Sequence, residues 1–234
     1  MSCFSSLDRN LVSGIFICMR KQPFIKGEFY HVYAHAVGDM DLFRSDADYL
    51  RFLTTLFVAN GKRDISHLDR FYDRNLVSDI RDGKINIGGQ VIDIAGFCFM
   101  PNHFHLLLRE IKDGNISLFM HRLLVSYSKH YNLKYERRGH VFERTFDAKY
   151  LNGDNYLLRA LAYAHLNPKD IKGWKRREHK YPWSSLQDYI SENRWGKLLK
   201  TDFLLNYFDF DKKEVGRFIE TARNDDYLLL DDRN

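Results

Sequence analysis

Two apolar segments separated by a Pro-Asn pair restrict the fold of this chain more than any other feature. The first is QVIDIAGFCFM (90–100) and the second is HFHLLLRE (103–110), with Pro101 and Asn102 between them. Apolar runs of this length on either side of a short turn predict two antiparallel strands. Because both runs are almost wholly apolar, we expect this hairpin to belong to the core sheet.

The segments around the hairpin alternate between strand and helix patterns. GEFYHVYAHAV (27–37) has the alternation of a strand, and residues 45–60 have helical spacing with Ser45 as N-cap. Residues 61–90 form a charged insertion or loop with one short helix, and the hairpin comes after it. The chain then continues with a helix from Asn115 to Tyr131, an extended segment (139–151) and a helix from about Asp154 to Asn167, which Pro168 ends. This order predicts an α+β fold of the ferredoxin-like type, a split β-α-β sandwich with a central antiparallel sheet.

Length and composition are consistent with one sizeable domain that carries additions. The chain has 234 residues, of which 44% are hydrophobic, and this is enough for a substantial core. We expect an N-terminal extension (1–23), a main domain (24–190) with an insertion at 61–90, and a helical C-terminal extension (191–234).

The cysteines and the hydropathy pattern favour a cytoplasmic protein. Cys3, Cys18 and Cys98 are scattered and have no CxxC spacing, so neither a disulfide framework nor a zinc-cysteine site is indicated. No apolar run approaches the roughly 20 residues that span a bilayer. A reducing compartment and no membrane partner are therefore expected.

His103 and His105 are two imidazoles at the start of an otherwise apolar strand. Residues i and i+2 of a strand project from the same face, so the two imidazoles point together while Phe104 points the other way. Side by side they suit a divalent metal; the alternative is that one caps the turn and the other is a satisfied core histidine. A functional metal site also needs a third ligand and a reactive group.

The helix near residues 154–167 offers both. Tyr163 and Asn167 are four residues apart and are therefore neighbours on one helix face, whereas His165 is turned away. A phenol and an amide oxygen would then point in the same direction.

Five segments, taken in order, resemble the single-tyrosine HUH transposases related to insertion-sequence transposases, and most closely their REP-associated tyrosine transposase branch. They are GEFYHVYAHAVGDMDLFRSDADYLRFLTTL, GFCFMPNHFHLLLRE, GHVFERTFDAKYL, YLLRALAYAHLNP and YPWSSLQDYI. The HxH element alone is unspecific, but the ordered set is specific. The resemblance implies that residues 24–190 form a transposase-like catalytic domain.

The resemblance also implies a role for each motif residue. His103 and His105 would be metal ligands, Tyr163 the nucleophile and Asn167 the third ligand. The implied activity is metal-dependent cleavage and transfer of single-stranded or hairpin DNA through a 5′-phosphotyrosine. Nitrogen and oxygen ligands fit Mg²⁺ or Mn²⁺. A homodimer, with the active site within one chain or between two, stays open.

Two basic groups flank the proposed active helix and predict a nucleic-acid surface. Their members are Lys129, Arg137, Arg138 and Arg144 before the helix and Lys169, Lys172, Arg176 and Arg177 after it. A net charge of +5 favours a polyanionic partner. Because Trp174, Tyr181 and Trp183 lie among these residues, the pattern is typical of a groove that follows a DNA backbone and stacks bases. The alternative is an ordinary solvated surface.

Other assignments compete with this one. Tyr131 is the main rival nucleophile, although no ligand follows it one turn later, and Tyr127 and Tyr156 are expected to be core aromatics. A non-catalytic protein that binds hairpin DNA or RNA is a second function class. A third is a metal-dependent phosphodiesterase that uses activated water, with Tyr163 only structural.

Overall fold

The computed structural model describes residues 23–63 and 75–224. Its strands are β1 (Phe29–His35), β2 (Ile92–Met100), β3 (His103–Glu110) and β4 (Asp147–Tyr150). Its helices are α1 (Asp46–Ala59), α2 (Leu76–Arg81), α3 (Asn115–Lys134), α4 (Asp154–Leu166), α5 (Leu186–Ile190), α6 (Asp202–Leu205) and α7 (Lys212–Asn224), joined in part by short 3-10 turns.

The four strands form one antiparallel sheet in the order β2-β3-β1-β4. This is the strand order of a ferredoxin-like split β-α-β sandwich, and the predicted α+β fold is confirmed. The hairpin of β2 and β3 is also confirmed, with Met100 directly opposite His103 across the turn.

The sheet has two faces of different chemistry because side chains alternate along each strand. One face, here called the core face, carries Phe104 and Leu106 of β3, which are fully buried in a cluster with residues of α1 and α3. The opposite face, here called the site face, carries His103, His105 and Leu107 of the same strand. Helix α4 packs on the site face against β2 and β3.

One extra residue in β2 changes which of its side chains face the site. The register of β2 against β3 shifts at Ala95, which forms a β-bulge. The hydroxyl of Tyr189 donates to Ala95 O and stabilises the bulge. Beyond it, Cys98 stands directly opposite His105 on the site face.

The predicted helices form, with one difference at the end of α4. Ser45 caps α1 as predicted, in a capping box with Asp48. Helix α4 ends at Leu166, but Asn167–Asp170 continue as a 3-10 turn. Pro168 is tolerated at the start of that turn because a first-turn N–H needs no partner there. The chain therefore remains helical beyond the predicted end.

The extended segment predicted for residues 139–151 forms regular strand only in β4. Upstream of β4, Ala36 makes an isolated bridge with Phe142, and Glu143 N donates to His35 O at 3.1 Å. The chain between α3 and β4 therefore passes the end of β1 that carries His35.

The C-terminal region adds helices to the site-face layer. Helix α7 packs against α4 and α5 and places Val215 and Ile219 in an apolar cluster with Leu161. Near its end, Arg223 makes an ion pair with the fully buried Glu178 at 2.9 Å. Helix α4 thus contacts both the sheet and α7.

Some predictions concern residues outside the described ranges. The proposed N-terminal extension lies almost entirely there, as do residues 64–74 of the insertion. In the described part of the insertion, α2 is the short helix that the sequence predicted. The division into a main domain and two extensions stays a prediction. Within 23–63 and 75–224, no helix has the length and apolar character needed to cross a membrane.

Candidate active site

The two histidines of the HxH element lie at the start of β3 on the site face. Their ring centroids are 4.8 Å apart; His105 is fully buried and His103 half-buried. Strand β1 runs beside them, with His35 opposite His103 and Tyr33 opposite His105. The rings of His35 and His103 stack at a centroid distance of 4.7 Å. Both imidazoles therefore point into one site, as the strand alternation predicts.

Helix α4 brings the other two motif residues to these histidines. The ring centroid of Tyr163 lies 5.5 Å from that of His105. Asn167 sits at the C-cap of α4, and its Nδ2 donates to Tyr163 O at 2.9 Å. The Asn167 side chain also lies within hydrogen-bonding reach of both imidazoles. The four positions meet within a single chain.

Burial keeps both imidazoles neutral. Desolvation, with a smaller contribution from neighbouring histidines, lowers the pKa of His103 to about 3 and that of His105 well below its usual value. The Asn167 amide acts in the opposite direction, because an acceptor oxygen stabilises the protonated ring. The net result at neutral pH is two uncharged imidazoles, which is the form that binds a metal.

The donor set suits a divalent cation that accepts nitrogen and oxygen. Asn102 Oδ1 lies 2.7 Å from His103 Nδ1; since the oxygen can only accept, Nδ1 carries the proton and Nε2 keeps its lone pair. Unprotonated imidazole nitrogens and the amide oxygen of Asn167 are donor types that Mn²⁺ or Mg²⁺ accepts. In the part of the chain that the structure describes, no group of three His, Cys, Asp or Glu could hold a metal.

Two residues that the sequence analysis did not single out belong to the same site. His31 is fully buried, and its Nε2 lies 3.0 Å from Nδ1 of His105. Lys149 of β4 is paired with His31, and its ammonium lies 5.8 Å from the ring centroid of Tyr33. The alternation of His31, Tyr33 and His35 in β1 was a usable signal, but its meaning depends on β1 lying next to β3.

The rival nucleophile Tyr131 lies on the core-face layer, away from the histidines. Tyr131 is buried, and its hydroxyl donates to Asp41 O at 2.6 Å. The prediction that Tyr127 is a core aromatic is confirmed, since it is fully buried. The same prediction for Tyr156 is wrong, because its side chain is 52% exposed. Tyr156 precedes Tyr163 by seven residues, so both lie on the side of α4 that faces away from the apolar cluster.

The first basic group is distributed over both sides of the sheet. Lys129 is exposed on α3, across the sheet from the histidines. Arg137 is half-buried, and its guanidinium donates to His140 O at 3.2 Å, so it has a structural task. Arg138 and Arg144 are exposed on the segment that passes the end of β1. These two therefore lie nearest to the site.

The second basic group begins directly after α4. Its four members, Lys169, Lys172, Arg176 and Arg177, are all exposed. The aromatic residues among them are less available: Tyr181 is only 3% exposed, and its hydroxyl donates to Phe99 O, while Trp183 stacks on Tyr49 at 4.8 Å. The predicted base-stacking role is therefore wrong for Tyr181, which belongs to the packed interior. Trp174 is half-buried.

One known protein family matches part of this chain. Residues 86–165 match the model of the family described as Transposase IS200 like. The matched segment includes His103, His105 and Tyr163, and Asn167 lies two residues beyond it. The resemblance to insertion-sequence transposases that the sequence indicated is thus confirmed.

A particular solved structure shares the fold. It is the structure of a REP-associated tyrosine transposase bound to a REP hairpin; the TM-score is 0.50, the sequence identity is 12%, and the alignment covers 74% of this chain and 86% of that one. At this identity the likeness concerns the fold, which is the α+β arrangement described above. Comparison with curated proteins gives no match.

Proposed function

We propose that this protein is a metal-dependent, transposase-like enzyme that cleaves and transfers single-stranded or hairpin DNA through Tyr163. The observation that carries the proposal is the meeting of Tyr163, His103, His105 and Asn167 at one place on the site face. A phenol beside two neutral imidazoles and an amide oxygen provides a nucleophile next to a set of metal ligands. The family match over residues 86–165 supports the transposase class.

Tyr163 would act as the nucleophile of a phosphoryl transfer. Its phenolic oxygen forms a bond to the phosphorus of a phosphodiester while the bond from phosphorus to the 3′-oxygen breaks. The DNA fragment downstream of the break remains on the protein, with its 5′ phosphate bonded to the tyrosine. The phenolic proton passes to solvent, and the 3′-oxygen of the upstream fragment takes up a proton and leaves as a hydroxyl. Attack by another 3′-hydroxyl reverses these steps and rejoins DNA without a nucleotide cofactor.

The residues around Tyr163 divide the remaining tasks. When bound by His103, His105 and Asn167, Mg²⁺ or Mn²⁺ would polarise the scissile phosphate and stabilise charge on the transferring group. A tyrosine has a solution pKa near 10 and is a poor nucleophile at neutral pH. Lys149 on β4 adds a positive charge beside His31 on β1. A positive charge near Tyr163 would favour the ionised form of its phenol.

The DNA would reach the site between two exposed basic segments. Arg138 and Arg144 lie on one of them, and residues 169–177 follow α4 directly on the other. Lysine and arginine contacts to phosphates supply affinity without sequence preference. The solved neighbour is bound to a REP hairpin, which supports a hairpin as the element that this chain binds.

The proposal is tested by covalent capture. Purified protein is incubated with labelled hairpin DNA carrying single-stranded flanks, with Mn²⁺ or Mg²⁺, and analysed on a denaturing gel. The wild type and Tyr156→Phe, a matched phenol on the same helix, should form a metal-dependent protein–DNA adduct, and Tyr163→Phe should form none.

Two other outcomes would contradict the proposal. Cleavage without an adduct that survives in Tyr163→Phe would indicate a phosphodiesterase that uses activated water. Tight hairpin binding by all three proteins, with no cleavage of any flanking sequence, would indicate a non-catalytic binding protein.

A further inference from the structure

The contact between His31 and His105 has no part in the mechanism proposed above. His31 Nε2 and His105 Nδ1 are 3.0 Å apart, and both side chains are fully buried. The two rings are inclined by 23°, with centroids 5.1 Å apart, so the contact joins rings held by neighbouring strands. Two neutral imidazoles at this distance share one proton, which means that one ring donates and the other accepts.

Only one of the two proton arrangements allows His105 to bind a metal through Nε2. If His105 Nδ1 carries the shared proton, the lone pair of its Nε2 is available. If His31 Nε2 carries that proton, neutral His105 must be protonated on Nε2 and cannot coordinate there. His103 is already in the first situation, because Asn102 Oδ1 accepts from its Nδ1 at 2.7 Å.

We infer that His31 is a positioning residue that accepts the Nδ1 proton of His105 and so directs Nε2 of His105 toward the metal. The inference rests on the proposed function, since it requires His105 to be a ligand. Asn102 and His31 would then have the same task for the two motif histidines. Each acceptor selects the tautomer and fixes the orientation of one ligating ring, as outer contacts do in other metal sites.

The surroundings of His31 support a task in the site rather than in the core. Its second nitrogen, Nδ1, is buried and has no hydrogen-bond partner among the described residues. An unsatisfied buried polar atom destabilises the fold, and an apolar side chain would avoid that penalty. The ring centroid of His31 lies 5.7 Å from that of Tyr163. The costly buried nitrogen is therefore at the place where the proposed nucleophile and the proposed ligands meet.

The first test measures Mn²⁺ affinity directly, by electron paramagnetic resonance of free Mn²⁺, without DNA. His31→Leu removes the acceptor and should weaken binding by about 10- to 100-fold. His31→Gln keeps an acceptor oxygen and should restore most of the lost affinity. His165→Gln is the control: this imidazole is also fully buried on α4, but its Nε2 is bonded to Ser185 Oγ at 2.8 Å and not to a ligand.

The second test uses the wild type and therefore does not depend on how well a variant folds. Nitrogen NMR of protein with labelled histidines and saturating Mg²⁺ should find His105 protonated on Nδ1 and His31 also protonated on Nδ1. Finding His105 protonated on Nε2 would overturn the inference.

The outcomes separate this inference from the proposed function. If folded His31→Leu binds Mn²⁺ as tightly as the wild type, or if Gln is no better than Leu, His31 is not the positioning residue, even when adduct formation through Tyr163 is intact. If the wild type binds no Mn²⁺, both the metal site and the inference are wrong.

Discussion

The two faces of the sheet are built from the same strands but are stabilised by different interactions. On the core face, Phe104 and Leu106 have apolar neighbours and no polar atom that needs a partner. On the site face, His103 and His105 occupy the alternate positions and depend on particular contacts to Asn102 and His31. Packing tolerates approximate partners, whereas the hydrogen bonds of the site face require particular ones.

This contrast shows where stability and function separate in the chain. Adjacent residues of β3 serve different ends, so single substitutions one position apart should have different readouts. Core-face changes should alter the free energy of unfolding, and site-face changes should alter chemistry in a protein that remains folded.

The largest effect is expected from the core face. Phe104→Ala leaves a cavity beside Phe52, whose ring centroid is 4.9 Å away, and should lower the free energy of unfolding by about 3–5 kcal/mol. Urea denaturation measures this loss. A loss below about 1 kcal/mol would mean that the core face is not the main source of stability.

The neighbouring position should give the opposite result. His103→Ala removes a half-buried side chain that we propose as a metal ligand. It should slow adduct formation by roughly 100-fold or more, because metal stabilisation of the transferring group is worth several kcal/mol. The free energy of unfolding should change by less than about 1 kcal/mol. His121→Ala, an exposed histidine of α3, is the matched control and should leave both quantities unchanged.

Acid should destabilise the site-face layer before it affects the core-face layer. Burial lowers the pKa of His165 to about 3, so below pH 6.5 the unfolded chain takes up a proton that the folded chain excludes. Stability therefore falls as the pH drops from 6.5, by up to about 1.4 kcal/mol per pH unit for this group. His165→Gln should make denaturation curves between pH 6.5 and 5 less dependent on pH; an unchanged dependence would contradict the assignment.

A carboxylate of the core-face layer also makes stability depend on pH, but in a lower pH range. Although desolvation raises the pKa of Asp48, hydrogen bonds from Lys134 and Tyr135 outweigh it and hold that pKa below the usual value. The stability contributed by this carboxylate is present above about pH 4 and lost below it. His165 and Asp48 therefore alter the stability of the protein in different pH ranges.

The smallest effect is expected from charge at the edge of the site face. Lys149→Met removes the ammonium beside His31 and Tyr33 and should slow adduct formation about tenfold at low salt, with a smaller effect at high salt. Lys84→Met removes an exposed lysine that pairs with Asp79 and serves as the control. Equal rates for both variants would exclude an electrostatic task for Lys149.

Local periodicity predicted much of this site, and long-range pairing accounts for what it missed. The period of two in β3 and the four-residue spacing in α4 placed His103, His105, Tyr163 and Asn167 without knowledge of the fold. His31 escaped notice because its importance depends on β1 lying beside β3, and nothing in the local sequence states which strands are neighbours.

The misassigned aromatic residues have the same explanation. Tyr181 follows a basic segment and has the local pattern of a DNA-binding aromatic, but it contacts β2 and the helix layer of the core face. Its hydroxyl bonds to Phe99 O and lies near that of Tyr49. Composition describes a residue's neighbours in the chain, and burial depends on its neighbours in space.

The bulge at Ala95 gives β2 two phases of alternation. Phe97 and Phe99 therefore join the core-face cluster, while Cys98 and Met100 stand opposite His105 and His103. Removing one residue from this strand would exchange the two sets and bring two phenyl rings against the histidines. In this part of the molecule the length of the chain matters as much as its composition: a one-residue deletion would replace at once every β2 side chain that faces the histidines, which no single substitution could do.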